Sequence, residues 1–191
     1  MESLPSGIQY RHWPVENAKA CVLLVHGLAE HTGRYERLAA RFNAGGVAVV
    51  GPDHVGHGAS PGVRGHLKQF DDYLAPLQCL RSHIDNWYAG KPVFLLGHSM
   101  GGLISAHLLL ESQAAFRGVM LSGPAFHAVD PPPAPMIWIG RVLRHLLPKL
   151  GMLGLDANGV SRDPAVVADY MADPLVYNGK ITTRLGMALL D

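Results

Sequence analysis

Four short apolar runs separated by helical periodicities set the framework of the chain. Ala20 to Val25 is continuously apolar and ends at His26-Gly27. Such a run predicts a strand buried on both faces, as in a parallel sheet. Tyr35, Leu38, Ala39 and Phe42 recur at i, i+3, i+4 and i+7, with Arg34, Arg37 and Arg41 on the other side. That is an amphipathic helix, stopped by Gly45-Gly46. Val47 to Val50 is the second buried strand, and residues 51 to 65 form a loop rich in Gly and His. Phe70, Leu74, Leu77, Leu80, Ile84 and Trp87 form the next helical stripe, with Pro76 expected near its start. Val93 to Leu96 is the third strand, Leu103 to Leu110 an almost wholly apolar helix, and Val119 to Ser122 the fourth strand.

This β-α-β-α-β-α-β order predicts an α/β fold with a mostly parallel sheet flanked by helices. Ligands of such sheets bind beyond the carboxyl ends of the strands. Those ends read His26-Gly27, Pro52-Asp53-His54, Gly97-His98-Ser99 and Gly123-Pro124, so the polar and Gly-rich chemistry gathers on one rim. After Pro124 the alternation stops. Residues 1–124 are expected to be the core, and residues 125–191 a helical cap rather than more sheet.

Composition narrows the function classes. The 191 residues are 48% hydrophobic and 16% charged, which excludes a disordered chain. The formal net charge is +1, too small to hold a nucleic-acid backbone by bulk attraction. Cys21 and Cys79 fall in apolar stretches and are expected to be buried free thiols, which fits a reducing, cytoplasmic setting. The N-terminus lacks the basic and apolar regions of a secretory signal. The most apolar stretch, Met136 to Leu155, follows the proline run 131–133 and is interrupted by Arg141, Arg144, His145 and Lys149, so it does not span a bilayer.

Gly97-His98-Ser99-Met100-Gly101 matches G-x-S-x-G. The chemistry needs a sharp strand-to-helix turn that lifts the serine hydroxyl above the sheet, with small residues on either side so that strand and helix can approach. The helix start beneath it offers free N–H groups to a developing oxyanion. Gly58-Ala59-Ser60-Pro61-Gly62 matches the same pattern, but no strand precedes it and Pro61 follows, so Ser60 reads as loop structure. Ser99 has the required context, and a helix-capping serine in a tight turn is the plainer alternative. His26-Gly27-Leu28-Ala29 follows the first buried strand, where this architecture takes its second oxyanion donor. The candidate donors are the backbone N–H groups of Leu28 and Met100, set against a plain strand-to-helix loop.

Eleven histidines raise the question of metal. His54 and His57 stand at i, i+3, and His26, His31 and His98 share the rim. No acidic or Cys partner falls at ligand spacing, so hydrogen-bonded structural histidines are expected, with no metal and no cofactor. Along Met136 to Leu150, Arg141, Arg144, His145 and Pro148 fall on one stripe, and Ile139, Leu143, Leu146, Leu147 and Leu150 face away. The expectation is a surface helix with its apolar face inward, with peripheral membrane contact as the second reading.

These residues together resemble a known family. The segment His26-Gly-Leu-Ala-Glu-His-Thr-Gly-Arg-Tyr35 is similar to the one after strand three in monoacylglycerol lipases and related lysophospholipases of the serine aminopeptidase S33-like α/β-hydrolases. Pro52 to Ser60 with Arg64-Gly-His66 resembles the family's next loop, and Gly97 to Gly102 its nucleophile elbow. Ser161-Arg-Asp-Pro164, Asp173-Pro-Leu-Val176 and Gly179-Lys-Ile-Thr182 resemble its cap signature. The resemblance implies an α/β-hydrolase fold and a serine hydrolase of monoacylglycerols or lysolipids. It implies Ser99 as nucleophile within the elbow Gly97, His98, Gly101 and Gly102, and Leu28 and Met100 as oxyanion donors. Ala29 stands where members often carry Gly. In family order the triad acid and base come after the cap. His107, His127 and His145 are the histidines after Ser99, and none holds a triad position. The expectation is a chain without the last strands, the acid and the base.

Two functions are therefore weighed. One is an ester hydrolase acting through an acyl-enzyme on Ser99, with peptide or small-ester cleavage as the nearest variant. The other is a hydrolase-like protein that binds a lipid or a partner, through its unpaired sheet edge for example, without turnover. Neither the acyl length nor the oligomeric state is readable from the chain.

Overall fold

Alternating apolar side chains along each buried strand become two cores, one on each face of a sheet. The computed structural model describes residues 1–127, 132–154 and 156–191. Pro131 of the proline run and Leu155 of the apolar stretch fall outside them. The chain opens with a hairpin, β1 (Glu2–Ser3) and β2 (Gln9–Trp13). It then alternates β3 (Ala20–Val25), α1 (Glu36–Ala44), β4 (Val47–Pro52), α2 (Asp71–Trp87), β5 (Val93–His98), α3 (Met100–Ser112) and β6 (Gly118–Ser122). Six strands form one sheet in the order β1-β2-β4-β3-β5-β6, antiparallel at β1 and β2 and parallel from β4 to β6.

The period of two decides the layering. Val22 and Leu24 join Val49 and Leu96 under Ala39 and Phe42 of α1. Cys21, Leu23 and Val25 point the other way, toward Leu77, Leu80 and Ile84 of α2 and Ile104 and Leu108 of α3. β3 lies at the centre, and the chain runs from it to β4 on one side, then crosses to β5 on the other. The carboxyl ends of β3 and β5 thus flank the switch point where open α/β sheets bind ligands. β6 is an edge, with Val119, Met120 and Leu121 all more than a third exposed.

Beyond β6 come α4 (Ala134–Leu146), β7 (Gly151–Gly154), α5 (Pro164–Ala172), β8 (Lys180–Thr182) and α6 (Thr183–Leu190). β7 and β8 pair as a separate antiparallel ribbon, which the sequence did not announce. The expected inward apolar face of α4 is also overturned. The buried contact of α4 is Gly140, against the Met187 sulfur of α6. Trp138 is 68% exposed and Leu146 71%. Pro76 sits a full turn inside α2 rather than at its start, and is buried.

The rim is held by buried polar groups with specific partners. Both oxygens of fully buried Asp53 accept hydrogen bonds, Oδ1 from the Thr32 N–H and hydroxyl (2.9 and 2.6 Å) and Oδ2 from the Ala59 N–H (2.9 Å). Ser60 donates to the Asp53 carbonyl (2.6 Å) and accepts from the Gln9 N–H (2.9 Å), so it serves as loop structure. His26 Nε2 accepts from the His54 N–H (2.9 Å), which leaves Nδ1 to donate to the Gly27 carbonyl (2.8 Å). His54 and His57 pack beside it at a tilt, with ring centroids 4.0 and 5.7 Å away. Burial pushes all three imidazoles down, helped at His26 by its histidine neighbours. His54 falls to about 3 and His57 to about 4, and His26 lies well below its usual value.

The sign of the linkage follows. These rings are neutral in the fold and titrate near 6.5 when unfolded. Their contribution is fully present above pH 6.5 and is lost as pH falls toward 4 and then 3. Each ring that protonates only on unfolding steepens the loss by about 1.4 kcal/mol per pH unit. Urea unfolding at pH 7.5 and pH 5.0 is expected to show lower stability at pH 5.0, and equal stabilities would contradict neutral burial of the cluster.

Candidate active site

The bend between β5 and α3 is the most strained point near the switch. Ser99 has φ +51° and ψ −119°, a conformation that costs a non-Gly residue on the order of 1–3 kcal/mol. The surroundings enforce it. The Ser99 N–H donates to the Ser122 carbonyl of β6 (3.0 Å), and its carbonyl accepts from the Gly102 and Ala125 N–H groups (2.9 and 3.0 Å). Glycines allow the helix to sit this close. A Cβ on Gly101 would strike the Val25 and His26 carbonyl oxygens, and one on Gly97 would strike Ser105 and Gly101. A Cβ on Gly102 would stand 2.7 Å from that of Pro124. The helix start places the Met100 and Gly101 N–H groups where no intrahelical acceptor exists.

Ser99 is half-buried and opens into a cleft of about 730 Å³, shared with Gly27, Leu28, His98, Met120 and Tyr170. A Cβ built on Gly27 would stand 3.4 Å from the Ser99 Cβ, so the loop after β3 lies directly against the bend. The structure thus brings Ser99, Met100 and the Gly27–Leu28 turn to one place. His98 is turned aside, its Nδ1 3.0 Å from the Ser122 carbonyl oxygen. His107 packs on Phe70 of α2, away from the cleft lining. Among the described residues the Ser99 hydroxyl has no hydrogen-bond partner, and no metal-binding group of three His, Cys, Asp or Glu is present.

Sequence reasoning missed the residues that fix the loop. Glu30 Oε1 accepts from the Gly27 N–H and from the Tyr35 hydroxyl, both at 2.6 Å. Burial and the adjacent Glu30 charge drive the Tyr35 phenol far above its usual value, so it stays a donor. Ala29 carries the loop through φ +66°, a left-handed turn that costs an alanine about 1–2 kcal/mol. Its carbonyl is held by the Tyr177 N–H (2.8 Å). His31 Nδ1 accepts from the Gly33 N–H, so Nε2–H donates to Asp173 Oδ2 (2.8 Å). Burial raises the Asp173 carboxyl, but hydrogen bonds from His31 and the Leu175 N–H outweigh it and hold the group below its usual range. An acidic residue three places after a strand-end glycine was the available signal for Glu30. Nothing local marks a pair 142 residues apart.

The family model for serine aminopeptidase, S33, matches residues 16–191. The chain is 39% identical to the monoacylglycerol lipase of Mycolicibacterium smegmatis, over 96% of its own length and 66% of the relative's. It is 35% identical to the human monoglyceride lipase, over 95% of its own length and 60% of the relative's. It therefore spans slightly less than two thirds of these relatives. The crystal structure of the Paleococcus ferrophilus monoacylglycerol lipase superposes with a TM-score of 0.84 at 33% identity, over 96% of this chain and 69% of that one. With the sheet order and the bend at Ser99, these matches establish that the chain belongs to the serine aminopeptidase S33 family and has the α/β-hydrolase fold.

Proposed function

We propose that Ser99 is the nucleophile of a carboxylic-ester hydrolase acting on monoacylglycerols or lysophospholipids. The observation that carries this reading is the strained Ser99 backbone at the β5–α3 bend, half-exposed in a cleft, against the Gly27–Leu28 turn. Ser99 Oγ would attack the ester carbonyl carbon while its proton passes to a base. The carbonyl oxygen would gain charge between the Leu28 and Met100 N–H groups, the geometry in which fixed donors act most strongly. Collapse expels the alcohol and leaves an acyl group on Ser99, which water then removes. Glu30, through the Gly27 N–H, keeps the Leu28 peptide in place for this. The triad acid and base are proposed to fall in the part of the relatives that this chain does not span. Residues 125–191 are proposed to act as the cap, because Gly159, Val160 and Tyr170 line the Ser99 cleft. The chemistry asks for no cofactor, and the free thiols Cys21 and Cys79 fit a cytoplasmic setting.

A second part of the proposal concerns the lipid surface. No described helix is long and apolar enough to cross a membrane. Trp138 and Leu146 of α4, Leu147 just after it and Leu153 of β7 are all more than half exposed, apolar surface suited to peripheral contact.

Incubation with a fluorophosphonate probe is expected to modify Ser99 and to leave Ser99→Ala unmodified. Where no base is positioned at Ser99, hydrolysis of a monoacylglycerol by residues 1–191 is expected at about 10³–10⁴-fold over water. Exogenous imidazole, a diffusible base, is expected to raise it. Modification that persists in Ser99→Ala would remove the nucleophile assignment, and an unmodified wild-type chain would favour binding without turnover. On phosphatidylcholine vesicles, Leu146→Glu is expected to weaken sedimentation about tenfold or more, from the loss of one buried leucine. Unchanged sedimentation would exclude α4 as the contact.

A further inference from the structure

A second cavity, of about 700 Å³, shares no lining residue with the Ser99 cleft. Its volume falls within the range of about 300–1,000 Å³ typical of small-molecule sites. Pro5 and Ile8 of the N-terminal hairpin, Val55 of the loop after β4, and Leu67 and Pro76 at α2 give it a mainly apolar wall. The polar groups are few and of one dominant sign. Lys68 and Lys149 border the cavity, and among the described residues neither ammonium is in an ion pair. Asp72 is the one carboxylate in the lining, and its Oδ2 already accepts from the Lys68 and Gln69 N–H groups (3.1 and 3.2 Å).

His66 completes the polar end. His66 Nδ1 lies 3.0 Å from the Thr182 hydroxyl, whose oxygen also accepts from the Leu185 N–H. Burial, together with Lys149 and Arg184, keeps His66 from charging. A mainly apolar wall bordered by two unpaired lysines and an uncharged imidazole complements one kind of molecule: a hydrocarbon chain with a single anionic head. A phosphate-rich ligand would leave the wall unused, and a neutral lipid would leave the cations unused.

We infer that this cavity binds a free fatty acid, its chain along Ile8, Val55, Leu67 and Pro76 and its carboxylate at Lys68 and Lys149. Each buried methylene strengthens binding about fourfold. Each solvent-facing lysine adds between about 1.5-fold and fivefold. A fatty acid is also the class of product that ester cleavage at Ser99 would release, so the site would sense product, but the binding claim stands without that reading.

The cavity carries its own reporter. Cys79 was expected to be buried, yet it is half-exposed and lines the cavity, whereas Cys21 is fully buried. The test is the rate of Cys79 alkylation by iodoacetamide in the full chain, with laurate, octanoate or dodecanol below their aggregation limits. Calorimetric titration of laurate provides an independent affinity should alkylation be slow. Laurate is expected to slow alkylation at least fivefold and saturably, with octanoate about 250-fold weaker and dodecanol about tenfold weaker. In Lys68→Ala/Lys149→Ala the gap between laurate and dodecanol closes, while protection by dodecanol is unchanged. Equal protection by laurate and dodecanol in the wild type would overturn the carboxylate site. The absence of saturable protection and of calorimetric binding would overturn the cavity as a ligand site. Both readouts are independent of Ser99 chemistry.

Discussion

Backbone meets backbone where the first turn of α3 lies on the end of β3. Only glycine fits at position 101, because the Val25 and His26 carbonyl oxygens occupy the space a Cβ would need. With the helix seated that deeply, the chain must turn from β5 into α3 within one residue, and Ser99 absorbs the turn in a left-handed conformation. The strain is repaid around it, by hydrogen bonds to Ser122, Gly102 and Ala125 and by the apolar burial of Ile104 and Leu108 beneath. A serine in an ordinary helix cap has no need of this arrangement, and that is what separates Ser99 from Ser60 despite their identical flanking pattern.

The second half of the site depends on the first through the loop after β3. That loop has one short 3-10 turn, Thr32–Tyr35, and its shape is otherwise set by buried polar contacts. Glu30 fixes the Gly27 amide, Asp53 fixes Thr32, and the clustered rings of His26, His54 and His57 hold the strand end. The segment carrying Asp173 and Tyr177 reaches back to the same loop through His31 and the Ala29 carbonyl. The elements after β6 therefore both line the cleft and brace the turn that faces Ser99. Ala29 shows the bracing at work, since alanine holds a conformation that glycine would adopt freely.

Much of this was legible in the chain. Short continuous apolar runs bounded by turn residues read as strands buried on both faces, and β3 to β6 fall within two residues of where those runs place them. The bend at Ser99 and the Leu28 turn were legible because their chemistry is local. What escaped had physical reasons. β2 alternates Tyr10 inward with polar neighbours, a weak signal, and β7 and β8 are only four and three residues long. The face of α4 was misjudged because amphipathicity shows which side is apolar but not what covers it. Its actual contact is a glycine against a methionine sulfur from α6. His31 and Asp173 meet only through the fold.

Unfolding by denaturant of Gly101→Ala beside Gly159→Ala measures how tightly α3 is seated on β3. Gly159 has open space around its Cα, so alanine there is expected within about 0.5 kcal/mol of the wild type. Alanine is normally the better helix former by about 1 kcal/mol, so position 101 should gain from it if the seat of α3 were loose. A tight seat gives instead a loss of at least about 2 kcal/mol, as overpacking against rigid backbone demands. A Gly101→Ala chain as stable as its Gly159→Ala counterpart would contradict it.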